Sequence, residues 1–245
     1  MKPGPVVLAM VAAAVVVPAT AASAGRADPH CRAGVLEAVG TDRAAFAATM
    51  KKARTQVYRR PRGARIARFP KINQNGYPTT FAIVGAIVTR TCDASWYRVK
   101  LPMRPNGAVG YVRPADVVVR RVKTRIAVDI SARRLSFYRA GKLVLTTPVA
   151  VGSSATPTPI GRYYINQRLV PSNPLGAFGP AALGVSAFSE VLTGWVQGGP
   201  IGIHGTNQPW SIGRAMSNGC IRVPNATMSR LFAASPAGTP VVVHP

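Results

Sequence analysis

Acidic residues are scarce in this chain of 245 residues. It contains 7 of them against 31 lysines and arginines, which gives a formal net charge of +24. After residue 120 only Asp129 and Glu190 remain, 61 positions apart. A glycosidase-type pair of carboxylates would have to be these two, and nothing in the surrounding sequence supports such a pair. The scarcity therefore argues against chemistry that depends on paired carboxylates.

Histidine is also scarce, with residues at positions 30, 204 and 244. Zinc sites in proteins usually need three or four ligands drawn from histidine, cysteine and carboxylates. A metal site built from imidazole and carboxylate has little to draw on here. We therefore predict no metal and no cofactor, and metal-free nucleophilic catalysis remains open.

The first 24 residues have the pattern of a secretory signal. Lys2 precedes an apolar run, Val6–Val17, and the segment ends in Ala22-Ser23-Ala24, an A-x-A cleavage site. A membrane-spanning helix needs about 20 apolar residues, and Pro18 interrupts this run early. A cleaved signal is favoured, with an uncleaved anchor as the alternative. We expect a secreted protein, in the cell wall or on the periplasmic side of the membrane.

The large positive charge favours a polyanionic partner. For an exported protein, the anionic polymers of a cell wall fit better than nucleic acid, so we expect no nucleic-acid partner. The alternative is a compositional bias, because no single run of residues concentrates the charge.

Three cysteines are present, Cys31, Cys92 and Cys220. In an exported chain an odd number suggests one disulfide and one free thiol. Cys31 and Cys92 both lie in the first half of the chain, whereas Cys220 stands alone in the second. We predict a Cys31–Cys92 disulfide and a free thiol at Cys220.

Short strands dominate the pattern of the first half. Residues 25–54 are expected to form a helical or linker segment. The helical candidate is Gly34–Ala53, in which Asp42 can cap the part that runs through Phe46 and Met50. Residues 55–121 contain several short strand patterns and a hairpin turn at Asn106-Gly107. The strands are predicted at 57–58, 81–88, 96–101, 109–112 and 117–119.

This segment resembles a bacterial SH3-like domain. The residues that carry the resemblance are Val57-Tyr58, Trp96–Val99 and Asn106–Val112, ahead of Val117. The resemblance implies a small β-barrel. Domains of this kind bind the cell wall or pack on a catalytic neighbour, and the sequence leaves both roles open.

Residues 122–245 form a second predicted domain, also mostly β. Hairpin strands flank Ala140-Gly141, and a short helix capped by Asn225 runs to Ala234. Further strands are predicted at 125–130, 135–138, 143–151, 162–169, 201–204 and 241–243. The proline- and glycine-rich stretch Pro171–Gly184 is expected to be a lid or a substrate wall.

One histidine and one cysteine in this domain have the pattern of a nucleophilic site. His204 lies sixteen residues before Cys220, and glycines follow the histidine and precede the cysteine. A thiol attacks as thiolate, and a free cysteine with a pKa of about 8.5 is little ionised near neutrality. An imidazole is its usual activator. A tight turn at Gly219 could aim backbone N–H groups at an oxyanion. The alternative is a buried, inert cysteine beside an unrelated histidine.

Residues 123–245 resemble the L,D-transpeptidase catalytic domain, also called the YkuD family. The resemblance rests on the segments Asp129–Tyr138, Thr156–Gly161, Ile203–Asn207 and Ser217–Arg222. It implies a β-sandwich-like fold and attack by a cysteine thiolate on peptidoglycan stem peptides, with acylation of the same thiol by carbapenems. The chain as a whole is thus predicted to be a small SH3-like barrel followed by an L,D-transpeptidase β-sandwich with one short helix.

The resemblance also implies roles for individual residues. Cys220 would be the nucleophile, His204 its general base, and the Gly205 carbonyl the group that orients the imidazole. Backbone N–H groups of Asn218, Gly219 and Cys220 would form the oxyanion hole.

Two further positions complete the predicted site. Ser217 is assigned to the oxyanion and substrate-binding loop, and Arg222 either binds a substrate carboxylate or braces that loop. Many members of the family carry a second histidine where this chain has Asn218.

The resemblance implies a ping-pong acyl transfer. Cys220 would attack the third residue of a tetrapeptide stem, release the terminal D-Ala and pass the acyl group to an amine, giving a 3→3 cross-link. An L,D-carboxypeptidase or exchange enzyme is the second hypothesis. A non-catalytic wall-binding protein is the third, and Asn218 is its only support. Nothing in the sequence demands more than a monomer.

Overall fold

A computed structural model describes residues 31–245. The predicted signal sequence, residues 1–24, and His30 lie outside the described residues. Within the described part the protein is mostly β with a single α-helix, which confirms the predicted fold class. None of the helices in that part has the length and apolar character needed to cross a bilayer.

The N-terminal unit, residues 31–122, is built on one eight-stranded sheet. Its path runs β4-β3-β7-β6-β5-β2-β8, and β1 pairs with β5 beside β2. The core contains Val57 of β3 and Val117 of β8, which lie near opposite ends of that path, so the sheet curls around its own apolar face. The SH3-like assignment remains a prediction. The strands are β1 (Leu36–Ala38), β2 (Ala45–Met50), β3 (Arg54–Tyr58), β4 (Arg65–Pro70), β5 (Thr80–Val88), β6 (Ala94–Lys100), β7 (Val109–Val112) and β8 (Val117–Val122).

The helix predicted over Gly34–Ala53 is wrong. The segment forms β1 and β2 instead, and β2 lies between β5 and β8 in the sheet. Its alanine-rich sequence favours a helix locally. However, Ala48 and Met50 are buried in the core of the unit, and this packing outweighs the local preference. The residues assigned to a linker therefore belong to the N-terminal unit.

Cys31 and Cys92 tie the start of this unit to the turn that follows β5. Their sulfur atoms are bonded, and their Cα atoms lie 5.4 Å apart, which is within the normal range for a disulfide. This is the pairing expected from the sequence. Cys220 is the free cysteine among the described residues.

The C-terminal unit, residues 123–245, is a β-structure with two sheets that share one strand. The path β11-β10-β9-β18-β13-β14-β15-β17 is continuous, and β12 and β16 form a separate parallel pair. The elements are β9 (Thr124–Asp129), β10 (Arg134–Arg139), β11 (Lys142–Pro148), β12 (Val151–Gly152), β13 (Gly161–Leu169), β14 (Ala182–Phe188), β15 (Pro200–His204), β16 (Ala215–Ser217), β17 (Ile221–Arg222), α1 (Asn225–Ala234) and β18 (Pro240–His244).

Strand β13 joins the two sheets. Residues 161–164 pair with β18, and residues 165 and 167–169 pair with β14, with a register shift between Ile165 and Gln167. One apolar cluster collects buried side chains from both sheets and from α1, including Phe137, Ile203 and Leu231. This core holds β15 and β17 side by side, and these two strands carry the predicted site.

Two local predictions in this unit need correction. The stretch predicted as a loop, Pro171–Gly184, is shorter, because β14 begins at Ala182 and pairs with β13 and β15. The helix α1 spans the predicted residues, but its N-cap is Pro224. The Asn225 side chain accepts a hydrogen bond from the Thr206 N–H at 2.7 Å instead, and so ties the helix to the segment after His204.

The two units dock through polar contacts. The Arg104 guanidinium donates hydrogen bonds to the carbonyls of Ser189 and Gly198, at 2.5 and 2.8 Å. The side chain of Asn106, in the turn predicted between β6 and β7, exchanges two hydrogen bonds with the backbone of Phe188, at 2.8 and 2.9 Å. These contacts place the N-terminal unit beside the loop that precedes β15.

Candidate active site

His204 and Cys220 come together because β15 and β17 are parallel neighbours. His204 is the last residue of β15, and Cys220 immediately precedes β17. In the register Ile203 lies opposite Ile221, and His204 lies opposite Arg222. Both side chains line one cavity of about 420 Å³. The fold thus brings together the two residues that the sequence singled out.

The imidazole of His204 is held in one tautomer. Its Nδ1 lies 2.6 Å from the carbonyl oxygen of Gly205. A carbonyl oxygen can only accept, so Nδ1 carries the proton and donates it. The lone pair is therefore on Nε2, which is the nitrogen available to act as a base.

Gly205 is required where it stands because three groups crowd its Cα. An added Cβ atom would lie 2.4 Å from Asn225 Oδ1, 2.8 Å from Pro180 Cδ and 3.1 Å from Gly179 Cα. The Gly205 N–H donates to the Ala181 carbonyl at 3.2 Å. This packing fixes the carbonyl that orients His204.

The environment of the pair favours its neutral form. Burial lowers the pKa of His204 to about 4; the hydrogen bond to Gly205 acts in the opposite direction, and the positive Arg222 lowers it further. Burial also raises the pKa of the Cys220 thiol, against smaller lowering effects of the Gly202 N–H and Arg222. The Gly202 N–H lies 3.4 Å from Cys220 Sγ. At neutral pH the resting site therefore holds an imidazole and a thiol, not an imidazolium and a thiolate.

Phe178 covers the imidazole from the loop between β13 and β14. Its ring packs edge-to-face on His204, with the ring centroids 4.9 Å apart. Gly179 follows it with φ +61° and fits against the Cα of Gly205, where an added Cβ atom would lie 2.7 Å away. The loop predicted as a lid or substrate wall thus does line the site, and the Phe178 ring packs against the His204 ring.

Replacing Phe178 by alanine is expected to raise the pKa of His204 towards its ordinary value of about 6.5. Loss of the ring exposes the imidazole, and burial is the main cause of its low pKa. Histidine NMR titration of the folded protein measures the shift. Leu175→Ala, in the same loop but 83% exposed, is the matched control and should leave the pKa unchanged. An unchanged pKa in Phe178→Ala would show that the ring does not desolvate the base.

The loop before Cys220 is shaped by two threonines of the Thr156–Gly161 segment. Thr158 Oγ1 donates to the Gly219 carbonyl at 2.9 Å and accepts the Gly152 N–H at 2.8 Å. Thr156 Oγ1 donates to the Ser217 carbonyl at 2.9 Å. These bonds explain why the segment and the cysteine loop occur together in the sequence pattern.

Gly219 and Ser217 shape the turn itself. Gly219 has φ +102°, a conformation that other residues rarely adopt. Ser217 Oγ donates to the Cys220 carbonyl at 2.5 Å and accepts the Gly219 N–H at 3.2 Å. The predicted oxyanion hole of three N–H groups therefore needs correction, because the Gly219 N–H already has an acceptor. The N–H groups of Asn218 and Cys220 remain as candidate donors.

Replacing Thr158 by valine is expected to lower the free energy of unfolding by about 1–3 kcal/mol, because it leaves the buried Gly219 carbonyl and Gly152 N–H without partners. Denaturant unfolding measures the loss. Thr146→Val, at an exposed threonine of β11, is the control and should change stability by less than about 0.5 kcal/mol. Equal stability of the two variants would refute the role of Thr158.

Comparison with known proteins identifies this domain. The family model described as the YkuD L,D-transpeptidase catalytic domain matches residues 123–243. This part of the chain belongs to the YkuD family. The match includes His204, Cys220 and the strands that hold them.

Curated relatives match the same YkuD domain. The chain is 41% identical over 121 residues to YkuD of Bacillus licheniformis, covering 49% of this chain and 66% of that protein. It is 40% identical over 119 residues to YkuD of Bacillus subtilis, covering 49% and 65%. Both relatives bear the L,D-transpeptidase name. The chain spans slightly less than two thirds of their length.

Solved structures similar to the YkuD domain include a cysteine-to-serine mutant of the L,D-transpeptidase from Enterococcus faecium. The sequence identity is 26%, the alignment covers 49% of each chain, and the TM-score is 0.38.

The remaining predicted site residues of the YkuD domain have distinct positions. Arg222 Nη1 donates to Gln208 Oε1 at 2.7 Å, so its side chain braces the segment after His204. Asn218 is exposed and is not among the residues that line the cavity of His204 and Cys220. The side chain at position 218 thus lies outside that cavity, and of Asn218 only the backbone N–H is a candidate donor to an oxyanion.

Sequence reasoning missed several residues of this site. Gly202 donates its N–H to the thiol, and Asn225 holds the segment after Gly205. Gln167 and Asn75 line the far end of the same cavity. Asn225 is distant from His204 in the sequence, so its contact with this segment could not be predicted. No local signal marks Asn75, which comes from the N-terminal unit.

Proposed function

We propose that the protein is a peptidoglycan L,D-transpeptidase that acts by cysteine acyl transfer. The observation that carries this proposal is the arrangement of Cys220 and His204 in one cavity, with the Nδ1–H of His204 directed to the Gly205 carbonyl. Membership of the YkuD family supports the reaction class, and the names of the curated relatives agree with it.

In the first step, the thiol of Cys220 attacks the carbonyl carbon of the third residue of a tetrapeptide stem. His204 Nε2 takes the thiol proton as the C–S bond forms, and the carbonyl oxygen becomes an oxyanion. The N–H groups of Asn218 and Cys220 are the candidate donors to it. His204 then gives the proton to the nitrogen of the terminal D-Ala, the C–N bond breaks, and a thioester remains on Cys220.

In the second step, the side-chain amine of another stem attacks the thioester. His204 accepts a proton from the attacking nitrogen, the C–S bond breaks, and the proton returns to the sulfur of Cys220. The product is a 3→3 cross-link. The imidazole is neutral before and after each step, and Cys220 is a thiol at the start and at the end of the whole cycle. The neutral resting pair therefore suits the reaction.

The partners proposed here follow from the same chemistry. The substrates are peptidoglycan stem peptides, and carbapenems are expected to acylate the same thiol. The excess of 31 basic over 7 acidic residues favours contact with anionic wall polymers. We propose that the protein acts outside the cytoplasmic membrane, because of its predicted export signal. We also propose that it is a monomer.

The test is a product analysis with the predicted mature protein, residues 25–245, and disaccharide-tetrapeptide. Separation by mass should show a cross-linked dimer and free D-Ala. Tripeptide without dimer would show a hydrolase instead of a transpeptidase. If neither product forms and no carbapenem adduct appears on Cys220, the proposed function is wrong.

A further inference from the structure

Strand β13 contains a bulge beside the cavity of the cysteine. Ile165 pairs with Val185, but Gln167 pairs with Gly184, so Asn166 is an extra residue on β13. A bulge redirects the side chains next to it, and such irregularities are frequent beside active sites. Here the two consecutive side chains that it redirects are both carboxamides, Asn166 and Gln167.

These two carboxamides meet above a residue without a side chain. A Cβ atom added at Gly184 would lie 2.9 Å from Asn166 Oδ1 and 2.9 Å from Gln167 Nε2. The Cγ atom of Gln167 would lie 2.5 Å from the same Cβ, so the glycine leaves room for the Gln167 side chain and the two polar atoms approach one point. One of them is a hydrogen-bond acceptor and the other is a donor.

Both atoms lack a partner within the described residues. Asn166 Oδ1 is buried and accepts no hydrogen bond. For Gln167 Nε2 no acceptor is found among residues 31–245, although its Oε1 has two donors. Buried polar atoms are nearly always hydrogen-bonded, so an unpartnered one calls for an explanation.

The pair lies where two cavities adjoin. Gln167 and Gly184 line the cavity of about 420 Å³ that contains His204 and Cys220. Asn166 and Gln167 also line a second cavity, of about 300 Å³, between the two units. No lysine, arginine, aspartate or glutamate lines either of them. Although the chain has a net charge of +24, the two adjoining cavities form an uncharged surface that extends from Cys220 to the N-terminal unit.

The N-terminal unit fixes the orientation of Gln167. The side-chain NH₂ groups of Asn73 and Asn75 donate to Gln167 Oε1, at 3.1 and 3.0 Å. Gln197 Nε2 donates to Asn75 Oδ1 at 2.8 Å and so holds the second of these amides. Because two donors hold Gln167 Oε1, the carboxamide of Gln167 cannot flip, and Nε2 keeps its position.

We infer that Asn166 and Gln167 bind one peptide group of the substrate chain. Asn166 Oδ1 accepts the peptide N–H, and Gln167 Nε2 donates to the peptide carbonyl oxygen. A carboxylate fits less well, because it has no N–H for Asn166 and no cation faces it there. The inference rests on the proposed function, since it specifies how the same site holds its peptide substrate. It makes Asn73 and Asn75 of the N-terminal unit positioning residues for that substrate.

Peptide binding without turnover tests this inference directly. In a Cys220→Ala background, the Kd of disaccharide-tetrapeptide is measured by calorimetry, with and without Asn166→Ala or Gln167→Glu. The latter keeps the oxygen that Asn73 and Asn75 bind but removes the donor. Each change is expected to raise the Kd roughly 3- to 10-fold, the loss of one hydrogen bond. Gln56→Ala, at a carboxamide of β3 outside the cluster, is the control and should leave the Kd unchanged.

Carbapenem acylation separates binding from a structural role. In variants that keep Cys220, Asn166→Ala and Gln167→Glu should slow carbapenem acylation by a smaller factor than they raise the Kd of the peptide, because a small acylating agent needs no second peptide subsite. Unchanged Kd values would overturn the inference, as would an equal slowing of carbapenem acylation, which would show general damage to the site. Absence of cross-linked product from the unsubstituted enzyme would instead count against the proposed function, because the Kd measurement does not depend on turnover.

Discussion

Replacing Cys220 by alanine is expected to lower the rate at which cross-linked product forms by at least about three orders of magnitude. In the proposed mechanism the thiol takes part in the covalent chemistry of both steps, and Cys220 is the free cysteine among the described residues. No other cysteine can substitute, because Cys31 and Cys92 are bonded to each other. The measurement is the rate of dimer and D-Ala formation by mass analysis.

The control for Cys220→Ala is a measurement of the free energy of unfolding of the variant, which shows whether it is still folded. The thiol accepts one long hydrogen bond, from the Gly202 N–H at 3.4 Å, so the variant should unfold within about 1 kcal/mol of the unsubstituted protein. Ser217 and Thr158 continue to shape the turn. A folded variant that still forms dimer would show that the nucleophile lies elsewhere.

Replacing His204 by glutamine is expected to lower the rate of acylation by about 10²- to 10⁴-fold. Glutamine is polar and close in size, but it cannot accept the thiol proton. The site then depends on the small fraction of thiolate that exists without a base. Because burial raises the pKa of the Cys220 thiol, that fraction is small near neutrality. Stopped-flow measurement of carbapenem acylation gives the rate.

The pH profile separates the role of His204 as a base from a structural role. The imidazole acts as a base only when it is neutral, and burial lowers its pKa to about 4. Acylation should therefore hold its rate down to about pH 5 and be lost as the pH falls through about 4. In His204→Gln this acid limb should disappear, and the rate should rise with pH as the thiol ionises. A limb near pH 6.5 in the unsubstituted protein would contradict the buried, neutral base.

The proposed catalytic pair could be predicted from the sequence because its determinants are local. The His204-Gly205 and Gly219-Cys220 blocks contain both reacting groups, the carbonyl that fixes the imidazole and the glycine with positive φ. The hairpin at Ala140-Gly141 was also predictable, since both residues have the positive φ values that its turn needs.

Other features depend on contacts between distant parts of the chain. The segment Ala45–Met50 has a helix-forming composition, and its place in the sheet comes from β5 and β8 on either side. The Gly219 N–H appears free for an oxyanion until the Ser217 hydroxyl is placed beside it. Similarly, Asn75 reaches Gln167 across 92 residues, a contact that no local pattern indicates.

Trapping the acyl-enzyme tests the central claim most directly. The predicted mature protein is mixed with disaccharide-tetrapeptide, quenched in acid within the first turnover and analysed by intact mass and peptide mapping. The proposed mechanism predicts a mass increase equal to the substrate minus D-Ala, located on the peptide that contains Cys220 and absent from Cys220→Ala. Product formation without any adduct on Cys220, or an adduct on another residue, would contradict it.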